Sequence, residues 1–92
     1  MMIMFPRGYL NLIRLGRVLH ISANRNIIVK IEKIPKIGDV VFDENLKPVG
    51  NVFDIFGPVS APYASIKPKV RLPETLVNKV LYISTGKKAG RV

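Results

Sequence analysis

The sequence predicts an all-β fold, a small closed or nearly closed antiparallel β-barrel of six short strands. Three observations carry this. Runs rich in β-branched and aromatic residues recur at a spacing of about 8–12 residues. Turn-forming residues separate them, and no stretch sustains a helical periodicity. A sheet this small leaves edges open to pairing with other chains, and closure removes them.

"LGRVLHISANRNIIVKI", Leu15 to Ile31, reads as two strands, "RVLHIS" and "IIVKI", joined through the turn-forming "ANRN". Pro35 and Gly38 then mark a turn over Lys36–Asp39, and the polar "DENLKP" marks another over Asp43–Lys47. These turns frame a short third strand and introduce a longer fourth. "GPVSAP", with two prolines and a glycine, has no place inside a central strand, so it joins the fourth run to the fifth, "YASIKP". "RLPETLVN" supplies a helical turn before the sixth run, "KVLYIS". Residues 1–14 read as a lead-in segment, 15–85 as the barrel core and 86–92, "GKKAGRV", as a short basic tail, with no repeat and no second domain.

A 92-residue chain makes one small domain, and at this size only somewhat more than ~60% of the unfolded surface is buried on folding, too little for a large internal active-site cavity. There is no cysteine, so disulfides and thiolate zinc sites are excluded and a reducing cytoplasmic location is expected. The apolar run that opens the chain is five residues long before Pro6 and Arg7, shorter than the roughly 7–15 residues of a secretory signal core. The longest uncharged run, Ile55 to Ile66, is twelve residues and holds two prolines, against about 18 apolar residues for a membrane helix. No membrane association is expected.

The net charge is +9, unevenly spread: residues 1–46 carry seven bases and four acids, residues 47–92 eight bases and two acids. Such a field favours polyanions, RNA above all, or a place within an RNA-containing particle. Lys67, Lys69, Arg71, Lys87 and Lys88 are the candidate RNA contacts. The aromatic residues Phe53, Phe56 and Tyr63 lie where charge is scarce and the bases come later, whereas stacking recognition wants the two together.

No catalytic constellation emerges. His20, the single histidine, lies in an alternating strand on the face opposite Leu19 and Ile21, an outward polar position with no base partner nearby. Asp39, Asp43 and Glu44 cluster, but Asp39 follows a turn glycine and Asp43–Asn45 is turn composition, so turn chemistry accounts for them better than a divalent metal. The glycines match neither a dinucleotide nor a Walker-type phosphate loop. The chain therefore reads as a protein without enzymatic activity, cofactor, metal or small-molecule substrate.

The apolar segment Val49 to Lys67, "VGNVFDIFGPVSAPYASIK", stands out against this basic background. Strict strand alternation places Val49, Asn51, Phe53 and Ile55 on one face and Gly50, Val52, Asp54 and Phe56 on the other, with large apolar groups on both. One face fills the barrel and the other needs cover, either from a partner or from the loop folding back. Phe56, Gly57, Pro58, Val59, Pro62 and Tyr63 are the candidate partner-binding residues, with the prolines holding the loop in a low-entropy shape.

"LGRVLHIS", "PKIGDVVFDENLKPVGNVFDIFGPVSAPYASIKP" and "KVLYI" resemble the core of the Gar-type small subunit of box H/ACA ribonucleoproteins. The likeness covers Leu15 to Ile83, and Gly50 to Tyr63 is its most specific part. It implies a six-stranded barrel of the reductase, isomerase and elongation-factor type. It also implies a non-catalytic subunit that docks on the catalytic domain of a dyskerin-like pseudouridine synthase, helps substrate loading and product release through a mobile loop of the synthase, and makes little direct contact with guide RNA. The basic tail lacks the glycine- and arginine-rich extensions of eukaryotic members, as in the archaeal form, and its brevity favours the mature-particle subunit over the related assembly factor. A self-standing RNA- or ribosome-binding barrel is the alternative.

Overall fold

The computed structural model describes residues 12–84, which form a closed barrel of six antiparallel strands, as the sequence predicts. The strands are β1 (Leu12–Ile21), β2 (Ile27–Ile31), β3 (Val40–Phe42), β4 (Pro48–Phe56), β5 (Tyr63–Pro68) and β6 (Val80–Ser84). One 3₁₀ turn, η1 (Pro73–Leu76), falls within the segment read as helical. The order around the barrel is β1-β2-β5-β4-β3-β6, and β6 pairs back onto β1 to close it. β1 begins ahead of the Leu15 boundary: Leu12, Ile13 and Arg14 pair with Ser84, Ile83 and Tyr82. The rest of the lead-in and the basic tail lie outside the described residues.

Two of the hairpins use the same three-residue turn. In the first, Ser22 and Asn26 close the loop and Arg25 takes φ +69°; in the second, Asp43 and Lys47 close it and Leu46 takes φ +67°. A type I turn followed by a left-handed residue is a standard hairpin connection, and glycine is the usual occupant of that last position. Asp43 compensates in the second turn, its carboxylate accepting the backbone N–H groups of Asn45 at 2.8 Å and Lys47 at 3.0 Å. Asp39 closes the Lys36–Asp39 turn likewise, accepting the Lys36 N–H at 2.9 Å. The acids that suggest a metal cluster are thus engaged in turns.

The core is aliphatic and comes from every strand. Leu15 and Val18 of β1, Ile27, Val29 and Ile31 of β2, Val41 of β3, Val49 and Val52 of β4, Ala64 and Ile66 of β5, and Leu81 and Ile83 of β6 form one buried cluster. Leu76 of η1 joins it, held there by hydrogen bonds between Val18 and the Asn78–Lys79 backbone. Closing so narrow a barrel brings strands too near for a side chain at two places: a β-carbon on Gly16 would lie 2.0 Å from the Lys30 carbonyl oxygen, and one on Gly50 2.4 Å from that of Lys67. Both obstacles are backbone and cannot swing aside.

Strict alternation fails at defined points. Leu19 occupies a bulge in β1, between the pairs Val18↔Val29 and His20↔Ile28. Leu19 and His20 are consequently both exposed, and the expectation that they point to opposite faces does not hold. β4 carries two irregularities, between Phe42 and Val41 against β3 and between Val52 and Asp54 against β5.

Gly50→Ala should lower stability by about 1–3 kcal/mol, the usual cost of overpacking. In urea unfolding this appears as a lower midpoint at unchanged slope. An unchanged midpoint would mean that β4 and β5 can separate locally.

Candidate functional site

The hairpin of β4 and β5 gathers the candidate partner-binding residues. Its connecting turn runs from Gly57 to Pro62 and is closed by the Ala61 N–H donating to the Pro58 carbonyl at 3.0 Å. Gly57 sits at φ +98°, a conformation that side chains disfavour, and this lets the chain leave β4 sharply. Pro58 and Pro62 then fix backbone angles on either side of Val59. The turn is also tied to the barrel wall, because the Ile31 N–H of β2 donates to the Pro62 carbonyl at 3.2 Å. Val59 is thereby held in the open, 99% exposed.

Below the tip, Phe56 and Tyr63 face each other across the two strands with ring centroids 5.7 Å apart and a tilt of 31°. Phe56 is 43% exposed, so its ring lies outside the barrel. The bulge at Phe53 decides the rest of β4. It breaks the expected sharing of a face by Val49, Asn51, Phe53 and Ile55: Val49 and Val52 are in the core, Ile55 packs against it, and Phe53 stands outward at 57% exposure.

The pairing of β4 with β5 also overturns the apparent separation of aromatic and basic residues. Lys67 lies opposite Asn51, and its ammonium sits 5.9 Å from the centroid of the Phe53 ring, within cation–π range. Lys69 and Arg71 are exposed beyond the end of β5, toward η1 and away from the hairpin tip. Lys87 and Lys88 lie outside the described residues.

Exposed apolar residues that the sequence reading missed adjoin this region. Ile34 and Ile37 protrude from the loop between β2 and β3, on either side of buried Pro35. That loop is laid along β4, with the Gly38 N–H donating to the Val52 carbonyl at 2.7 Å and Asn51 Nδ2 to the Gly38 carbonyl at 3.1 Å. Ile37 is thus one residue from a hydrogen bond to β4 next to Phe53. The available signal was "KIPKIG" itself, two isoleucines in a turn that no strand can bury. His20 is exposed on the outer face, and no group of three or more His, Cys, Asp or Glu residues is placed to hold a metal among the described residues.

The opposite end of the barrel carries an ion pair between Arg25, in the β1–β2 turn, and Glu74 of η1. The hydrogen bond from Arg25 holds the Glu74 carboxyl below the ordinary glutamate value. A second pair, Arg14 with Glu32 at 2.9 Å, links β1 to the residue that follows β2.

Fold and surface together define a small β-barrel interaction module that carries exposed aromatic, apolar and cationic groups on its exterior. The chain belongs to the family described as the Gar1/Naf1 RNA binding region, which matches residues 12–91. This is not a catalytic family. An uncharacterized protein of Methanothermobacter thermautotrophicus is 41% identical over 83 residues, covering 84% of this chain and 90% of the relative. An uncharacterized protein of Methanocaldococcus jannaschii is 43% identical over 51 residues, covering 55% and 62%. The solved structure of the Gar1 domain of Naf1 has the same fold, with a TM-score of 0.69, 19% identity, and coverage of 87% of this chain and 89% of that one. Among the described residues no helix is long and apolar enough to cross a membrane.

Because the Glu74 carboxyl titrates below its unfolded value, the Arg25 pair stabilises the fold fully above the ordinary glutamate value and loses that contribution as pH falls through the lowered one. Thermal melts of wild type and Glu74→Gln should therefore converge at acid pH. They should also converge at 1 M salt, since both partners are exposed and screened. A gap that persists in 1 M salt would contradict this.

Proposed function

We propose that this protein is a non-catalytic subunit of the box H/ACA RNA-guided pseudouridylation particle, serving rRNA modification and ribosome biogenesis. It docks on a dyskerin-like pseudouridine synthase, in the cytoplasm, and helps load substrate and release product while guide RNA selects the uridine. The observation that carries this is the exposed tip of the β4–β5 hairpin in a chain of this family: Val59 held open between two prolines, with the Phe56–Tyr63 pair beneath it. A rigid apolar projection of this kind supplies contact area at small entropic cost and needs no polyanion to bridge it to a protein.

In this reading Pro58, Val59, Pro62 and Tyr63 enter a recess on the synthase, with Phe56 and Gly57 setting their position. The exposed Ile34 and Ile37 widen the apolar surface on the adjoining loop. The protein itself supplies no reacting group, so its effect falls on exchange of the RNA substrate instead of on the isomerisation.

Val59→Asp, or Ala at Pro58, Pro62 or Tyr63, should weaken binding to the synthase by more than ~1 kcal/mol in calorimetry while the barrel stays folded. Multiple-turnover pseudouridylation should then fall more than single-turnover chemistry. The partner is checked by affinity purification from cell extract with and without ribonuclease, where a synthase that co-purifies after RNA digestion is expected. Association only in the presence of RNA would replace this reading with that of a self-standing RNA-binding barrel.

A further inference from the structure

The register of four adjacent strands builds one continuous row on the outside of the barrel. Phe56 of β4 pairs with Tyr63 of β5, Tyr63 with Lys30 of β2, and Lys30 with Arg17 of β1. Directly paired residues of antiparallel strands share a face, with β-carbons about 4.5–5.5 Å apart. Their outward direction is set by the neighbouring row, Val18, Val29, Ala64 and Ile55, which packs in or against the core. Two aromatic rings therefore continue laterally into two cations. On the same outer face, further along β4 and β5, Phe53 lies under the Lys67 ammonium. No part of this arrangement is visible along the chain, where Arg17 and Phe56 stand far apart.

The charges on this face are available. The two ion pairs among the described residues take up Arg14 and Arg25, whereas Arg17, Lys30 and Lys67 belong to none. Arg17 makes only a long 3.5 Å contact to the Asn78 carbonyl. The single carboxylate in these rows is Asp54, beside Ser65, and it already accepts the Ile55 N–H at 2.8 Å. Ser65 and Ile28, between the two aromatic–basic rows, are buried beneath their neighbours. Aromatic rings and cations that belong to no ion pair thus lie side by side on one face, in a chain of net charge +9.

We infer that this outer face of β1, β2, β5 and β4 is a binding site for a single-stranded segment of nucleic acid. Unpaired bases stack on Phe56, Tyr63 and Phe53, and the phosphates run past Arg17, Lys30 and Lys67. Base stacking on aromatic rings beside a basic track is the general mode by which strands are held without sequence readout. A duplex hides its base faces and offers only the phosphate contribution. A protein partner would gain from the rings but would leave three cations to be matched by acids, so the charge favours a polyanion. The site goes beyond docking on the synthase. It shares only Phe56 and Tyr63 with the hairpin surface and leaves Val59 outside.

The test uses the protein alone with a fluorescently labelled 12-nucleotide oligouridylate, against a duplex RNA of equal length, by anisotropy over a salt series. The single strand should bind more tightly than the duplex. Lys30→Gln and Lys67→Gln should each weaken binding and lower the slope of log affinity against log salt by about 0.7, the value per phosphate contact on single strands. Phe53→Ala should weaken binding about fivefold or more, the lower end of base-stacking effects. Val59→Asp should leave the oligouridylate affinity unchanged while weakening synthase binding, and Lys30→Gln should weaken oligouridylate binding while leaving the synthase affinity unchanged, so each proposal can fail alone. Thermal melts check that the exposed variants remain folded. Equal binding of single strand and duplex overturns the stacking site. Unchanged affinity in Lys30→Gln and Lys67→Gln overturns it too, as does a loss confined to Lys69→Gln and Arg71→Gln. If Lys30→Gln weakens the synthase instead of the RNA, the face belongs to the protein interface.

Discussion

The bulge at Phe53 is the constraint on which the surface of this barrel depends. A regular β4 would alternate through its whole length, and an aromatic ring would then have to enter a barrel already filled by valine and isoleucine. Inserting one residue between the pairs Val52↔Ile66 and Asp54↔Ser65 keeps Val52 and Ile55 on the core side and turns Phe53 to the outside. The second irregularity, against β3, lets Val49 join the same core. One short strand thereby fills the interior and supplies an aromatic surface at once.

The hairpin tip inherits its geometry from that strand. β4 delivers Phe56 next to Tyr63, Gly57 turns the chain, and the prolines with the Ile31–Pro62 hydrogen bond keep Val59 from folding back onto the barrel. A loop held in this way presents Val59 to solvent with little conformational freedom left to lose. The opposite end of the barrel is finished differently: η1 packs Leu76 into the core, and the Arg25–Glu74 pair lies across the outside. The two ends thus divide the labour, one closing the core and the other displaying apolar groups.

Closure also explains how a basic chain comes to hold its charge beside its rings. β5 is drawn between β4 and β2 instead of next to β6, so Tyr63 is paired with Phe56 on one side and with Lys30 on the other. Lys67 reaches Phe53 through the same hairpin. The repulsion that such clustering implies is softened because Lys30, Lys67 and Arg17 all remain at the surface in water.

The sequence by itself determined the six strands, their turns and the proline-framed tip, because β-branched runs, Asp and Asn turn chemistry and prolines act within a few residues of themselves. Asp43 and Asp39 were legible as turn acids for the same reason. It did not determine the bulges at Leu19 and Phe53, since a bulge is a mismatch between two strands and only the partner strand defines it. Nor did it show that Arg25 and Leu46 occupy left-handed positions, for nothing in those side chains asks for them. The outward faces of Phe53 and Phe56, and the meeting of Arg17, Lys30, Tyr63 and Phe56 in one row, were decided only by tertiary structure. Register and barrel order bring together residues from strands far apart in the chain, and no local pattern encodes that distance.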